Sequence, residues 1–139
     1  MRDISTYSSD TIEESRAVAR ELASILKPSD IVLLEGNLGS GKTFLVKEIC
    51  NIWETEEEAT SPSFAIIQIY SGAISVNHFD FYRIEDISEL DNLGWEELLY
   101  TDAVSFIEWP QMIENQLDDY YKITIELNGE RRLFKLSHS

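Results

Sequence analysis

Hydrophobic positions along the first third of the chain follow helical and strand spacings in turn. From residue 10 to 26 they form one stripe at helical spacing, with Asp10 placed as the N-cap and Pro28 as the stop. Residues 31–34 are a continuous apolar run, which is typical of a buried parallel strand. Residues 44–50 return to helical spacing. The pattern therefore predicts a helix, a buried strand and a second helix, in this order.

The second half of the chain predicts two β-hairpins, because in each case two strand-like runs flank a short turn. The runs are 64–70 with 73–77 around Ser71-Gly72, and 120–127 with 131–136 around Asn128-Gly129. The other predicted elements lie between the hairpins: short helices at 86–93 and 95–100, a strand at 103–108, and a short helix or loop at 111–117. Strands joined by a hairpin are antiparallel, whereas a helical crossover joins parallel strands. We therefore expect one mixed sheet.

The loop between the strand at 31–34 and the next helix has the sequence of a phosphate-binding loop. It reads Gly36-Asn37-Leu38-Gly39-Ser40-Gly41-Lys42-Thr43 and fits the pattern G-x-x-x-x-G-K-[ST], so all of its residues are candidates for binding a nucleotide. Its backbone N–H groups and the first N–H groups of the helix would point at the phosphates. Lys42 would reach the outermost phosphates, and the Thr43 hydroxyl would ligate Mg²⁺. With its flanking elements, the loop predicts an α/β protein with a three-layer P-loop NTPase-like fold and a mixed parallel/antiparallel central sheet.

A carboxylate, Glu108, ends the strand predicted at 103–108. Phosphate-loop enzymes place an acid at this point, where it holds the metal ion together with the loop hydroxyl. Apolar runs that end in an acid are common, so the assignment of Glu108 depends on its partnership with Thr43. Trp109 follows directly and is placed either at the mouth of the site or over the core.

Asp80 stands where the second strand of the first hairpin ends. Ligands of open α/β sheets bind outside the carboxyl ends of the strands, so Asp80 is a candidate for the ligand site. The alternative is that Asp80 caps a helix and that His78 is a hydrogen-bonded packing residue. For an isolated histidine the packing interpretation is favoured.

Two segments before the first hairpin leave alternatives open. Hydroxyl groups in Ser61-Pro62-Ser63 can sense a terminal phosphate, or they belong to an ordinary Ser-Pro turn. The acidic segment 54–58 is either a solvated connection or a partner-recognition segment.

Residues 77–80 have the spacing of the guanine-reading element N-K-x-D but lack its lysine, and the D-x-x-G match at 91–94 comes in the wrong order. An adenine nucleotide is therefore favoured.

Composition limits the classes of protein that remain. The chain has 139 residues, enough for a single domain spanning 1–139, and 43% of them are hydrophobic, as in globular proteins. It has neither an apolar run long enough to span a membrane nor an apolar signal-peptide core at its start, so we expect a cytoplasmic protein with no membrane partner. The single cysteine, Cys50, is expected in the core.

The net charge of −15 argues against unassisted binding of nucleic acid. Tight binding of DNA or RNA depends on a basic surface that releases counterions, whereas the donors of a phosphate loop act locally. We therefore expect no direct DNA binding, and we expect any RNA target to be held by a partner.

Four motifs, taken in order, resemble the TsaE (YjeE) family of small bacterial ATPases. They are the loop at 36–43, Ser61-Pro62-Ser63-Phe64, His78-Phe79-Asp80-Phe81-Tyr82-Arg83, and Ile107-Glu108-Trp109-Pro110-Gln111. The resemblance spans nearly the whole chain at similar spacing. Departures are mild, since none removes a required functional group: Ser40 stands where the family usually has alanine, Ser63 where it usually has threonine, and Ala103 where glycine is frequent.

The resemblance implies a subunit that binds and hydrolyses ATP with Mg²⁺ in the tRNA threonylcarbamoyladenosine pathway. Its partners would be TsaB and TsaD, which transfer the threonylcarbamoyl group to adenosine 37 of tRNAs reading ANN codons, and hydrolysis would reset their complex between turnovers. On this resemblance Lys42 and the loop amides hold phosphates. Thr43 and Glu108 hold Mg²⁺, and Asp80 orients the attacking water. The resemblance also assigns residues to a switch-like rim (Ser61, Ser63 and Trp109) and to the base and ribose side (Thr11 and Arg132).

Two other functions remain open from the residues. A small-molecule kinase would transfer the γ-phosphate to a metabolite and would need arginines around the migrating group, for which Arg83, Arg131 and Arg132 are candidates. A nucleotide-gated scaffold would bind without hydrolysis, so its activity would depend on Lys42 but not on Asp80.

Overall fold

The computed structural model describes residues 1–56, 66–91 and 93–139, which form a seven-stranded sheet with helices on it. The strands are β1 (Arg2–Ser9), β2 (Ile31–Glu35), β3 (Ile67–Tyr70), β4 (Val76–Asp80), β5 (Val104–Glu108), β6 (Tyr121–Asn128) and β7 (Arg131–His138). The α-helices are α1 (Ile12–Ile25), α2 (Lys42–Ile52) and the one-turn α3 (Trp95–Leu98). Across the sheet the strand order is β1-β7-β6-β2-β5-β4-β3.

The sheet is mixed, as the sequence predicts. Its central strands β6, β2, β5 and β4 are parallel. Antiparallel strands extend it at both edges, with β3 beside β4, β7 beside β6, and β1 beside β7. Because parallel strands end at the same edge of a sheet, β2, β4 and β5 bring Glu35, Asp80 and Glu108 to one edge. The glycine-rich loop leaves the sheet at that edge.

Apolar side chains form a core on each face of the sheet, which gives the molecule three layers. On one face α1 and α2 cover Val32, Leu34 and Phe106. On the other face Leu33 and Ile107 are covered by the segment between β4 and β6, whose buried residues include Leu90, Trp95, Leu99 and Ile113. Successive residues of β2 alternate between the two cores, because neighbouring side chains of a strand point to opposite faces. The predicted three-layer α/β fold is confirmed.

The first strand, β1, has no counterpart in the sequence-based prediction. Its residues are mostly polar and exposed, and it pairs antiparallel with β7 at the edge of the sheet. Main-chain hydrogen bonds are enough to hold an edge strand in place, so no apolar alternation marks it in the sequence. The pairing sets Ser9 opposite Arg132, next to the start of α1.

The helix α1 begins one residue later than predicted, with Thr11 rather than Asp10 as its N-cap. The Thr11 hydroxyl accepts the Glu14 N–H at 3.1 Å. The Asp10 carboxylate instead accepts a hydrogen bond from the Arg131 guanidinium at 3.0 Å. The Asp10 cap is therefore wrong, because a basic residue on a strand distant in sequence engages that carboxylate.

Two predicted helical segments are shorter and tighter than expected. The segment at 86–93 contains a 3-10 turn, Ile87–Leu90, whose capping box pairs Asp86 with Glu89. The segment predicted as a short helix or loop at 111–117 overlaps two 3-10 turns, Pro110–Met112 and Glu114–Gln116. None of the described helices is both long and apolar enough to cross a lipid bilayer.

The first hairpin has a longer connection than predicted. Its second strand, β4, begins at Val76 instead of residue 73 and continues to Asp80. The described part of its first strand, β3, begins at Ile67, and residues 64 and 65 lie outside the described residues. This shift places Asp80 inside the sheet, paired in register with Glu108 of β5.

Candidate nucleotide-binding site

The glycine-rich loop connects β2 to α2, and its backbone geometry explains two of its glycines. A Cβ atom on Gly36 would come within 2.5 Å of Ser40 Oγ and 2.8 Å of the Ile125 carbonyl oxygen, so a larger residue does not fit. Gly41 caps α2 with a φ of 110°, a conformation that strains other residues. No described side chain caps this helix end, so the first N–H groups of α2 are available to an anion.

Lys42 lies inside the loop and is 5% exposed. Its ammonium donates a hydrogen bond to the Gly36 carbonyl oxygen at 2.6 Å and lies 3.6 Å from the centre of the Trp109 ring. Burial lowers the pKa of Lys42 from its ordinary value, and the carboxylates of Glu108 and Asp80 oppose this shift. The loop thus encloses a cation whose hydrogen bonds are made within the protein and not with bulk water.

Thr43 and Glu108 lie beside each other, as expected for a metal-binding pair. Thr43 is in the first turn of α2 and Glu108 is the last residue of β5, and Thr43 Oγ1 lies 3.5 and 3.4 Å from the two Glu108 carboxylate oxygens. The Glu108 side chain is almost completely buried, at 3% exposure of the residue. Hydroxyl and carboxylate oxygens are the ligands that Mg²⁺ prefers, so this pair fits a magnesium ion.

Asp80 lies next to Glu108 on the neighbouring parallel strand, with the two residues in register. One of its carboxylate oxygens accepts the Tyr82 N–H at 3.0 Å, which is a local turn contact and not a helix cap. Burial raises the pKa of Asp80 above its ordinary value, the Tyr82 N–H opposes the shift, and the negative charge of Glu108 adds to it. Asp80 is therefore a more basic carboxylate than one exposed to water.

His78 contacts the candidate metal ligand directly, which the sequence-based packing interpretation did not anticipate. Its ring is fully buried, and Nε2 lies 2.5 Å from Glu108 Oε2. His78 and Asp80 are two residues apart on β4 and point to the same face of the sheet. That spacing, in a strand ending beside an acidic strand, is the signal in the sequence that could have identified His78.

Arg132 and Thr11, assigned by resemblance to the base and ribose side, lie on neighbouring elements. The Arg132 side chain donates a hydrogen bond from Nε to the Ser40 carbonyl oxygen at 3.1 Å, so β7 contacts the phosphate loop. Arg132 pairs with Ser9 of β1. Thr11 lies two positions after Ser9 and is the N-cap of α1. The described contacts connect Arg132 to the loop and give Thr11 a structural role at the helix end.

The Trp109 ring packs against the Lys42 ammonium of the loop. Trp109 has a left-handed backbone with φ of 58° and packs against Tyr82 at 4.8 Å between ring centres. Both placements considered from the sequence apply, because Trp109 lines the cavity beside the loop and is also packed, partly buried, against the core that contains Leu33 and Ile107. A cavity of about 520 Å³ adjoins the loop here, and its lining includes Gly36, Asn37, Ser40, Trp109 and the end of β6.

The remaining sequence-predicted residues fall into two groups. The tip of the loop is exposed and open to a ligand, and it consists of Asn37, Leu38 and Gly39. The hydroxyl residues Ser61 and Ser63 lie outside the described residues, as do residues 57 and 58 of the acidic segment 54–58.

The fold and this loop define a P-loop α/β protein, in which a glycine loop lies between a central parallel strand and the helix packed on it. The family model described as "Threonylcarbamoyl adenosine biosynthesis protein TsaE" matches residues 9–134. The chain belongs to the TsaE family, which is a family of tRNA threonylcarbamoyladenosine biosynthesis proteins, and the resemblance seen in its motifs is confirmed.

Individual relatives support the same assignment. The chain is 38% identical to the tRNA threonylcarbamoyladenosine biosynthesis protein TsaE of Bacillus subtilis over 120 residues, which cover 85% of this chain and 75% of that protein. It is 32% identical to the protein of the same name from Treponema pallidum, over 91% of this chain and 90% of that protein. The crystal structure of YdiB from Bacillus subtilis superposes with a TM-score of 0.77 at 27% identity, over 99% of this chain and 87% of that one.

Proposed function

We propose that this protein binds and hydrolyses ATP as a subunit required for threonylcarbamoyl transfer to adenosine 37 of tRNAs reading ANN codons. Hydrolysis would reset a TsaB–TsaD complex between turnovers. The observation that carries the proposal is the convergence of Lys42, Thr43, Asp80 and Glu108 at one edge of the sheet, around the glycine loop. Membership of the TsaE family supports the assignment to tRNA modification.

The loop residues bind the triphosphate in this proposal. Backbone N–H groups of 36–43 and the start of α2 donate hydrogen bonds to the phosphate oxygens, and Lys42 exchanges its hydrogen bond to the Gly36 carbonyl oxygen for one to a phosphate. Thr43 and Glu108 would hold Mg²⁺, which neutralises phosphate charge when bound. Arg132 and Thr11 are proposed to lie beside the ribose and base, and Trp109, Ser61 and Ser63 at the rim.

Asp80 is proposed to be the catalytic carboxylate. Water attacks the γ-phosphorus, the bond between that phosphorus and the ADP oxygen breaks, and the Asp80 carboxylate takes the proton that the water releases. A pKa raised by burial suits this role, because it makes Asp80 a better proton acceptor than an exposed aspartate. Lys42 contributes charge stabilisation to the departing phosphate group.

The partners in this proposal carry the nucleic acid. With a net charge of −15, the chain is suited to dock on a basic protein surface and unsuited to bind tRNA by itself. A role in tRNA modification also assigns the protein, within this proposal, to the cytoplasm.

Reconstitution of tRNA modification from purified components tests the proposal. We expect multiple rounds of modification with the intact chain, and a single round or fewer with K42A or E108A. K47A is the matched control, because Lys47 lies on the same helix α2 without being part of the loop. Modification that proceeds equally without the chain would refute the proposal.

The kinase alternative has less support from the arginines. Arg131 is paired with Asp10 at 3.0 Å, and Arg132 is hydrogen-bonded to the loop carbonyl of Ser40. Of the three candidates, this leaves Arg83 with neither an ion pair nor a side-chain hydrogen bond to the described residues. A metabolite screen that finds ADP release without free phosphate would favour a kinase over an ATPase.

A further inference from the structure

We propose that His78 is a positioning residue that orients the Glu108 carboxylate for metal binding. The inference rests on the proposed magnesium and nucleotide site and goes beyond it, because His78 itself contacts neither. It follows from three features of the ring: its one described hydrogen bond, its complete burial, and its contact with the carboxylate that also contacts Thr43.

The hydrogen bond between His78 and Glu108 has a defined direction. An ionised carboxylate only accepts hydrogen bonds, so the imidazole donates from Nε2 to Glu108 Oε2, over 2.5 Å. Thr43 Oγ1 lies 3.4 Å from the same oxygen and 3.5 Å from Oε1. Glu108 is therefore contacted from both β4 and α2, and its one close hydrogen bond is the one to the histidine.

Burial makes this contact the ring's main polar interaction. His78 is 0% exposed, and its other nitrogen, Nδ1, has no hydrogen-bond partner among the described residues. A buried polar atom without a partner costs stability, so an apolar ring would fill this space at lower cost if packing were its only task. The feature that an apolar ring could not supply is the hydrogen bond to Glu108.

A free Glu108 side chain would rotate and present its oxygens in several directions. Donors behind a metal ligand fix its orientation, and their loss typically lowers metal affinity by about 10- to 100-fold. His78 contacts Glu108 Oε2, the carboxylate oxygen that also lies 3.4 Å from Thr43 Oγ1, and it is placed to fix the orientation of that ligand. The expected effect of losing it is weaker magnesium binding with nucleotide binding in the absence of metal unchanged.

Two amide substitutions separate positioning from packing. Glutamine places its amide nitrogen near the position of Nε2, whereas asparagine is one bond shorter and cannot reach Glu108 from the same backbone. We expect H78Q to need a similar concentration of Mg²⁺ as the wild type for tight binding of a fluorescent ATP analogue. H78N should need about 10- to 100-fold more. In EDTA all three proteins should bind the analogue alike.

The histidine at the other end of the sheet supplies the control. His138 pairs with Tyr121, at the start of β6, and its ring contacts Asp119 at 3.0 Å. H138Q should leave the Mg²⁺ requirement unchanged. Thermal melting of every variant checks that it is folded, and equal loss of binding by H78N with and without Mg²⁺ would overturn the inference in favour of a packing role.

A second measurement needs neither metal nor nucleotide. The chain has two histidines, so in H138Q the ring nitrogens of His78 give the only imidazole signals in a long-range proton–nitrogen NMR spectrum. We expect Nε2 to carry a proton. We also expect its signal to shift when the E108Q substitution is combined with H138Q in the same chain. A ring protonated only at Nδ1, or a spectrum insensitive to E108Q, would overturn the inference.

The outcomes distinguish this inference from the proposed function. If the wild type binds no ATP analogue, the proposed function fails, and the metal part of the inference fails with it. If the wild type binds with Mg²⁺ and H78N binds equally well at the same Mg²⁺ concentration, the inference alone fails.

Discussion

The surroundings of Asp80, one of the proposed catalytic groups, disfavour its charge. Burial raises its pKa above the ordinary aspartate value, so the ionised form is less stable in the folded chain than in the unfolded one. The carboxyl therefore detracts from stability at any pH above its folded pKa, where it is ionised in both states. That deficit disappears as the pH falls through the folded pKa towards the unfolded one.

We predict that D80N separates stability from catalysis. Asparagine keeps an oxygen that can accept the Tyr82 N–H but cannot take a proton from water. ATP binding should persist and hydrolysis should fall by at least about 100-fold. The melting temperature should rise at neutral pH, and the gain should vanish in acid; calorimetry across pH and a phosphate-release assay measure the two effects. A loss of stability at neutral pH would contradict the pKa argument.

At this scale, some residues could be predicted from the sequence and others could not. Lys42 and Thr43 follow from a local pattern, because eight consecutive residues build the loop and the chemistry of each position is tied to its neighbours. The spacing of His78 from Asp80 marks His78 as a candidate, but its role could not be assigned, because that role depends on Glu108, a residue thirty positions away that meets it only when β4 and β5 pair.

The start of α1 combines two proposed tasks in one residue. Thr11 caps the helix by accepting the Glu14 N–H, and it is also a proposed neighbour of the nucleotide. The preceding residue, Asp10, is exposed and pairs with Arg131 on β7. The two side chains thus contribute to different parts of the structure although they are adjacent in sequence.

We predict that T11A lowers the free energy of unfolding by about 1 kcal/mol, because the helix loses its capping oxygen. T11S should retain the cap and the stability. D10A is the matched control and should cost less, because an exposed ion pair contributes only about 0 to 1 kcal/mol. Urea unfolding without nucleotide measures the free energy of unfolding of T11A, T11S and D10A. Equal stability of T11A and T11S would show that the Thr11 cap does not stabilise α1.

Elements with an apolar face were predictable, and elements without one were not. The strands β2 and β5 and the helices α1 and α2 each bury a stripe or a run of apolar residues, which the hydrophobic pattern records. The strand β1 is held by pairing with β7 instead, so its polar sequence carries no comparable signal.

At the scale of the whole molecule, Cys50 reports on the integrity of the fold. The side chain is fully buried on α2, and burial raises the pKa of its thiol to about 11. The thiolate is the reactive form, so both access and ionisation protect Cys50 in the folded state. It is the only cysteine in the chain.

We predict that a thiol reagent labels Cys50 at neutral pH only through opening of the fold. ATP with Mg²⁺, at an ATP concentration about 100 times the Kd, should slow labelling by about 100-fold. Binding at that concentration stabilises the folded state over the open state by the same factor. Mass spectrometry of the labelled chain measures the rate, with K42A as the control that ATP should not protect. Rapid labelling of the native protein would contradict the buried position of Cys50.

The charge of the whole chain leads to a prediction about its partners. A net charge of −15 should make the binding of this protein to its proposed partners, TsaB and TsaD, weaken as salt is added, because the attraction to a basic surface is screened. The isolated chain should not bind tRNA tightly at physiological salt. Filter binding with labelled tRNA tests this, and tight binding by the chain alone would contradict it.

The sequence by itself determined the phosphate loop and the mixed α/β class, and it led to the expectation that the chain does not bind nucleic acid unassisted. These follow from local spacing, hydrophobic period and total charge, which need no knowledge of distant contacts. Only the tertiary structure decided that Thr11 and not Asp10 caps α1, that β1 completes the sheet, and that His78 touches Glu108. Each of these depends on which strands lie side by side, and strand pairing joins residues whose separation along the chain carries no local pattern.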